Sequence, residues 1–152
     1  MAVVQSTYAT GFAVGFPGQV ANGEEGNRIS RIVEDSAGIA FGLAAFRGTG
    51  DNGVTATPSA GKFLGIVIAN HGIQPVPGGV AADIYPQYAS APLLNEGEIF
   101  VTAGHAVTAG EQVYVTSAGV FTDVSTSNVS IPAWFDDSVA SGAIVRLRVR
   151  KA

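Results

Sequence analysis

The sequence predicts an all-β fold, a single compact β-barrel or β-sandwich-like domain carrying an extended N-terminal arm. Three observations lead there. Twenty glycines and seven prolines punctuate a chain of 152 residues, and turn formers at that density interrupt helices of ordinary length. Between them, apolar residues come in short runs rich in Val, Ile, Tyr, Phe and Thr, which suit a pleated, half-buried surface. The chain is 47% hydrophobic and only 13% charged, too apolar for a solvated tail, and its length suits one core.

The runs are clearest over residues 97–124, GEIFVTAGHAVTAGEQVYVTSAGVFTDV. Residues 98–102, 112–116 and 120–124 read as three strands of a central meander. Ile99 and Val101 share one face of the first, and Val113 and Val115 one face of the second. Ser117-Ala118-Gly119 is a short connection whose glycine can take a positive φ, so the second and third strands are expected to pair antiparallel.

Residues 1–27 differ from the remainder. Val3, Val4, Tyr8, Phe12, Val14 and Phe16 are spread among small residues with no sustained period, and a turn cluster, Gly15-Phe16-Pro17-Gly18, follows. The polar Asn22-Gly23-Glu24-Glu25-Gly26-Asn27 then separates this arm from a body at residues 28–152. An arm with three aromatics cannot bury them against itself. They must lie on the parent domain, on a neighbouring copy or on another protein.

In the body, residues 28–48 read as a strand pair, because Gly38 and Gly42 would each cost a helix about 1 kcal/mol. Residues 62–69, KFLGIVIA, read as a buried strand in which Gly65 marks a bulge or a close backbone approach. Residues 70–83 read as a contact loop, and residues 85–94 as a lead into the meander through Asn95-Glu96-Gly97. Residues 131–135 contain the only tryptophan, and residues 143–149 close the fold.

Charge is segregated. All twelve acidic residues precede position 146, together with Arg28, Arg31, Arg47 and Lys62, whereas Arg146, Arg148, Arg150 and Lys151 crowd the end. Alternation puts the three arginines on one face of a strand and Val145, Leu147 and Val149 on the other. That is an ordinary amphipathic strand, and it is also a row able to meet an acidic partner surface. Nucleic acid is a poor partner for a chain of net charge −4 whose basic row lacks interleaved aromatics.

The chemistry-bearing residues do not assemble into a catalytic pattern. Without cysteine there is no disulfide, thiolate metal site or cysteine nucleophile. His71 and His105 adjoin turn glycines and have no partner at metal-ligand spacing. Asp136-Asp137 beside Trp134-Phe135 resembles a carboxylate pair at a sugar site, yet adjacent residues on a strand face opposite ways, and in a turn such residues cap it. Gly48-x-Gly50-x-x-Gly53 fits a dinucleotide fingerprint only loosely, since no helix can open at Val54-Thr55-Ala56-Thr57-Pro58. No enzyme, metal or cofactor is expected. A carbohydrate-binding module remains an alternative, with Trp134, Tyr85 and Tyr88 as a stacking platform. No apolar run approaches the ~20 residues that cross a bilayer, and no leader pattern opens the chain, so synthesis in a host cytoplasm without membrane contact is expected.

The order of these features resembles the cement, or decoration, proteins of tailed-phage capsids. The resemblance rests on the arm ending near Ser30-Arg31, the segment Val33-Glu34-Asp35-Ser36-Ala37-Gly38-Ile39-Ala40-Phe41-Gly42, and the strands Phe63-Leu64-Gly65-Ile66 and Gly97-Glu98-Ile99-Phe100-Val101. Thr108-Ala109-Gly110-Glu111-Gln112-Val113-Tyr114-Val115, Gly119-Val120-Phe121 and the final strand complete it. It implies a non-catalytic virion protein, often a homotrimer, on the capsid exterior. Such a protein clamps neighbouring major capsid protein subunits and stiffens the expanded head, with an arm that reaches over neighbours. The partner-binding residues it suggests are Val3, Val4, Tyr8, Phe12 and Phe16 of the arm, with Arg28, Arg31, Arg146, Arg148 and Arg150.

Overall fold

The computed structural model describes residues 14–72 and 82–150, and among these there is no helix. Eleven strands run in chain order as β1 (Asn27–Val33), β2 (Ile39–Ala40), β3 (Ala44–Arg47), β4 (Gly53–Thr55), β5 (Phe63–Val67), β6 (Ile84–Tyr85), β7 (Ser90–Thr102), β8 (Gln112–Val115), β9 (Phe121–Thr122), β10 (Val129–Phe135) and β11 (Ile144–Val149). The all-β expectation is met.

One long strand joins the two halves. Strand β7 pairs through its first half with β1 and β5, and the circuit β1-β4-β3-β5-β7 closes on itself as a five-stranded barrel. Its second half pairs with β11, and β11, β10, β8 and β9 continue as a second sheet. A parallel bridge from Ala103 to Phe121 curls the far edge back toward the end of β7. Between the two halves lies Asn95-Glu96-Gly97, where β1 slips register between Asn27 and Arg28 and Gly97 takes φ +125°. The polar tripeptide through which the chain enters the meander is therefore a corner within one strand. A strand leaving one sheet for another needs a bend there, which a glycine at positive φ supplies.

This corner also corrects the meander. Strands β8 and β9 are antiparallel neighbours as expected, with Gly119 at φ +81° in the connection, but β11 and β10 stand between β7 and β8. The closing strand inserts into the middle of the sheet, a long-range pairing that no local pattern encodes.

Alternation along β3, β5 and β7 feeds two cores from one wall. Ala44, Ile66 and Leu94 face the cluster under the second sheet, with Phe46, Ile99, Val113, Phe135, Val145 and Leu147. Their chain neighbours Ala45, Val67 and Leu93 fill the barrel, with Val33, Val54 and Tyr85. That is why FLGIV is apolar throughout: both faces of β5 are covered. The bulge expected at Gly65 is present, the β3–β5 register slipping between Ala45 and Phe46. On β11, Val145, Leu147 and Val149 point inward as alternation predicts.

The loosely glycine-rich loop at 48–53 wraps a protein carboxylate. Glu34 accepts hydrogen bonds from the backbone amides of Thr49 (2.7 Å) and Gly50 (2.8 Å), and a Cβ at Gly53 would overlap its carboxyl group. These amides, that of Thr49 above all, hold the Glu34 carboxyl below its ordinary value. The loop is an anion nest closed by its own chain, which accounts for the Gly-x-Gly-x-x-Gly spacing without a nucleotide.

The segment before β1 crosses the β2–β3 turn at two glycines. Gly42 sits at φ +73°, and a Cβ there would lie 2.8 Å from Gly18 N and from Pro17 Cβ. Gly42→Ala should cost about 2–3 kcal/mol, combining a left-handed backbone with displacement of the crossing segment. Urea melts should also show Gly42→Ala and Gly18→Ala to be less than additive, because both open the same contact.

Candidate interaction surface

The outer face of β11 carries Arg146 and Arg148, and the register sets them between β7 and β10: Arg148 lies opposite both Glu98 and Trp134. Acids from both sides close on them. Arg146 grips Asp137 through two donors, Nε at 2.8 Å and Nη2 at 2.6 Å, a bidentate geometry that a lysine could not reproduce. Arg148 donates to Glu24 (2.8 Å) and Asp136 (3.4 Å). Both guanidinium groups also approach Glu98, at 3.6 and 3.8 Å.

Glu98 is the unusual member, being only 1% exposed. Its Oε2 accepts from the Asn22 side chain, whereas Oε1, the atom that both guanidinium groups approach, has no donor within hydrogen-bond distance among the described residues, and the carboxyl group abuts Asp136. Two carboxylates in contact are accommodated by a proton between them. Burial first, and that hydrogen bond second, push Glu98 up to about 7 against the pull of the two arginines. Asp136 is held low chiefly by receiving the bond from Glu98, and Asp137 chiefly by Arg146. Four acids thus surround two arginines, and Arg146 and Arg148 are engaged within the chain. Arg150 is exposed and forms no ion pair among the described residues, its backbone amide bonding Pro132 O at 2.8 Å.

Asn22 and Glu24 belong to the segment that precedes β1, so this cluster ties that segment down. The backbone does so as well. Gly18 N donates to Phe100 O (2.8 Å), Phe100 N to Gln19 O (2.9 Å), and Ala21 N to Glu98 O (2.9 Å); Val20 bridges Ile99. Residues 18–21 therefore lie along the side of β7 that β11 leaves open. Phe16, 41% exposed, sets its ring edge-on to His71 at 4.8 Å, and His71 reaches Phe41 at 6.0 Å. Val3, Val4, Tyr8 and Phe12 lie outside the described residues. Arg28 and Arg31 sit on β1 three positions apart, hence on opposite faces, Arg28 exposed and Arg31 half-buried.

Sequence reasoning missed Glu98, Asn22 and Glu24. Alternation put Glu98 on the outer face with Phe100 and Thr102, and nothing local announced that Asn22 and the β11 arginines would cover it. The stacking platform is corrected too. Tyr85 is 1% exposed, its hydroxyl donates to Ile68 O at 2.8 Å, and burial pushes the phenol up to about 12. It cannot stack on a sugar. Tyr88, 76% exposed, follows β6, whereas Trp134, 37% exposed, lies on β10 of the second sheet. Asp136 and Asp137 are occupied by arginines, and among the described residues no group of three or more His, Asp or Glu side chains is placed to hold a metal.

Comparison with known proteins agrees with this architecture. A chain in the structure of the capsid of Myoviridae phage XM1 superposes with a TM-score of 0.69 at 16% identity, covering 99% of each chain, which shows the same fold. The N base of head fiber gp8.5 in bacteriophage phi29 aligns over 83% of this chain and 95% of its own, at 14% identity and a TM-score of 0.45. No curated protein matches the sequence. The family model described as structural cement protein (E217 gp24/Pam3 gp6) matches residues 4–150, nearly the whole chain. The chain belongs to the phage structural cement protein family, a structural component of the virion capsid.

Proposed function

We propose that this protein binds the outer surface of a phage head and bridges neighbouring major capsid protein subunits, as a homotrimer, stabilising the expanded shell. The observation that carries the reading is the family match across residues 4–150. In this reading residues 1–27 act as the arm. Val3, Val4, Tyr8, Phe12 and Phe16 supply apolar contact area at low rotamer cost, while Arg28, Arg31 and Arg150 supply charge. Arg146 and Arg148 serve the partner indirectly, by holding the arm's root through Glu24 and Glu98. An arm anchored to β7 by backbone hydrogen bonds can pass a pull from the shell into the barrel. A clamp of this kind adds its binding free energy to the intact lattice alone.

The test is co-sedimentation of the purified protein with expanded, undecorated shells of its own phage, alongside unexpanded shells. Saturable binding to expanded shells at a fixed ratio to capsid subunits is expected. No binding to either by a folded protein would remove the reading.

A further inference from the structure

One end of the barrel is lined by cations. The inward rows that build its core continue past the last buried residue: on β1 Val33 is followed by Arg31, Ile29 and Asn27, on β3 Ala45 by Arg47, and on β7 Leu93 by Asn95. With Lys62 and Leu64 these residues surround a crevice of about 420 Å³ at the barrel's mouth. Its floor is apolar, since Ile29 and Leu64 pack against the barrel core. No residue lining it is acidic, although Glu96 and, through Gly26, Glu25 flank the asparagine side.

The three cations here contrast with Arg146 and Arg148. In a chain with twelve acids against eight bases, none of Arg31, Arg47 and Lys62 makes an ion pair among the described residues. Arg31 and Arg47 each give one donor to a backbone carbonyl, Ser30 O at 2.8 Å and Asp51 O at 3.2 Å. Arg31 Nε is out of solvent and has no acceptor among the described residues. A buried donor left unpaired costs about 1–3 kcal/mol, and a cationic one is best satisfied by a carboxylate.

We propose that the barrel mouth is a carboxylate-binding site that receives an acidic side chain from a loop of the protein this chain coats. Arg31 Nε would meet the carboxylate oxygen at depth, while Arg47 and Lys62 supply charge at the rim. A concave site with converging cations suits one inserted side chain. It does not suit a nucleic-acid strand, which needs a track of cations with exposed aromatics, whereas Phe63, the crevice's aromatic, is buried. The identity of the partner rests on the capsid-binding reading; the anion site does not.

Two measurements test it. In the first, the full chain is titrated with a short glutamate-rich peptide, and separately with inorganic phosphate, while the Arg Nε–Hε resonances are followed by NMR. A saturable shift of Arg31 Nε–Hε with the peptide, lost in the Arg47→Gln/Lys62→Gln double variant, is expected. No shift up to millimolar peptide, or saturation by phosphate alone, overturns the site. In the second, the same variant, which changes two exposed residues and should melt as the wild type does, is sedimented with expanded shells. Affinity about tenfold weaker with a flatter salt dependence is expected; wild-type affinity and salt dependence overturn the assignment to the capsid. If the wild type itself fails to bind shells, the capsid reading falls and the peptide titration alone decides the site.

Discussion

Removing residues 1–13 is expected to leave the melting temperature nearly unchanged while lowering affinity for expanded shells by on the order of 100-fold. Removing residues 1–22 is expected to do that and also to lower the melting temperature by about 10 °C. The two truncations separate what the arm does for a partner from what its root does for the fold. The longer one deletes Gly18, Gln19 and Ala21, whose backbones bond Phe100, Glu98 and Ala69, at about 1 kcal/mol for each bond. It also takes Asn22 from the buried carboxyl of Glu98. Together these five bonds come to about 5 kcal/mol, and each kcal/mol moves the midpoint of a domain this size by at least ~2 °C. The shorter truncation spares all of them and removes Val3, Val4, Tyr8 and Phe12, and the loss of two aromatic anchors from an interface accounts for the expected fall in binding. Calorimetry and co-sedimentation on the same preparations read both effects. Unchanged shell affinity after removal of residues 1–13 would show that the capsid contact lies elsewhere.

Stability should fall by about 2–3 kcal/mol as pH rises from 5 to 8, opposite to what carboxylates held low by arginines produce, and Glu98→Gln should abolish most of this slope. Glu98 has an ordinary value of 4.5 and is pushed up to about 7 in the folded chain. Between those values the native state binds the extra proton, so its advantage is full below 4.5, declines as pH rises through the window and is gone above about 7. Asp136 and Asp137 act in the other direction. Both are held below their ordinary values, so their contribution is present above about pH 4 and is lost as acid protonates them. The optimum should therefore lie near pH 4–5. Glutamine keeps the neutral shape of Glu98, with its amide able to donate toward Asp136. The variant should match the wild type at pH 5 and exceed it at pH 8 by a melting-temperature difference of about 8 °C. A wild type whose midpoint is flat from pH 5 to 8 would show that Glu98 is ionised in the native state.

The two results share a cause, since Asn22 and Glu24 join the arm's root to the acid cluster on β11. Loss of one tether should weaken the other. Glu98→Gln keeps the acceptor for Asn22, whereas removing residues 1–22 exposes Glu98 to water and should also flatten the pH slope.

The sequence by itself determined the β class, the short apolar runs and the inward faces of β8 and β11. Each follows from alternation and turn chemistry acting over a few residues. It also marked Gly65 as a bulge or a close backbone approach, because a glycine within an apolar run gives up side-chain packing for one or the other. Tertiary structure alone decided which strands meet. The insertion of β11 between β7 and β10, the passage of β7 through Asn95-Glu96-Gly97 into a second sheet, and the burial of Tyr85 all depend on residues far apart in the chain. The arginine row was legible as a face, but its partners were not. Whether Arg146 meets Asp137 or another protein depends on which strand is placed alongside, and strand pairing is set by the global fit of two cores sharing one wall, a quantity no local window contains.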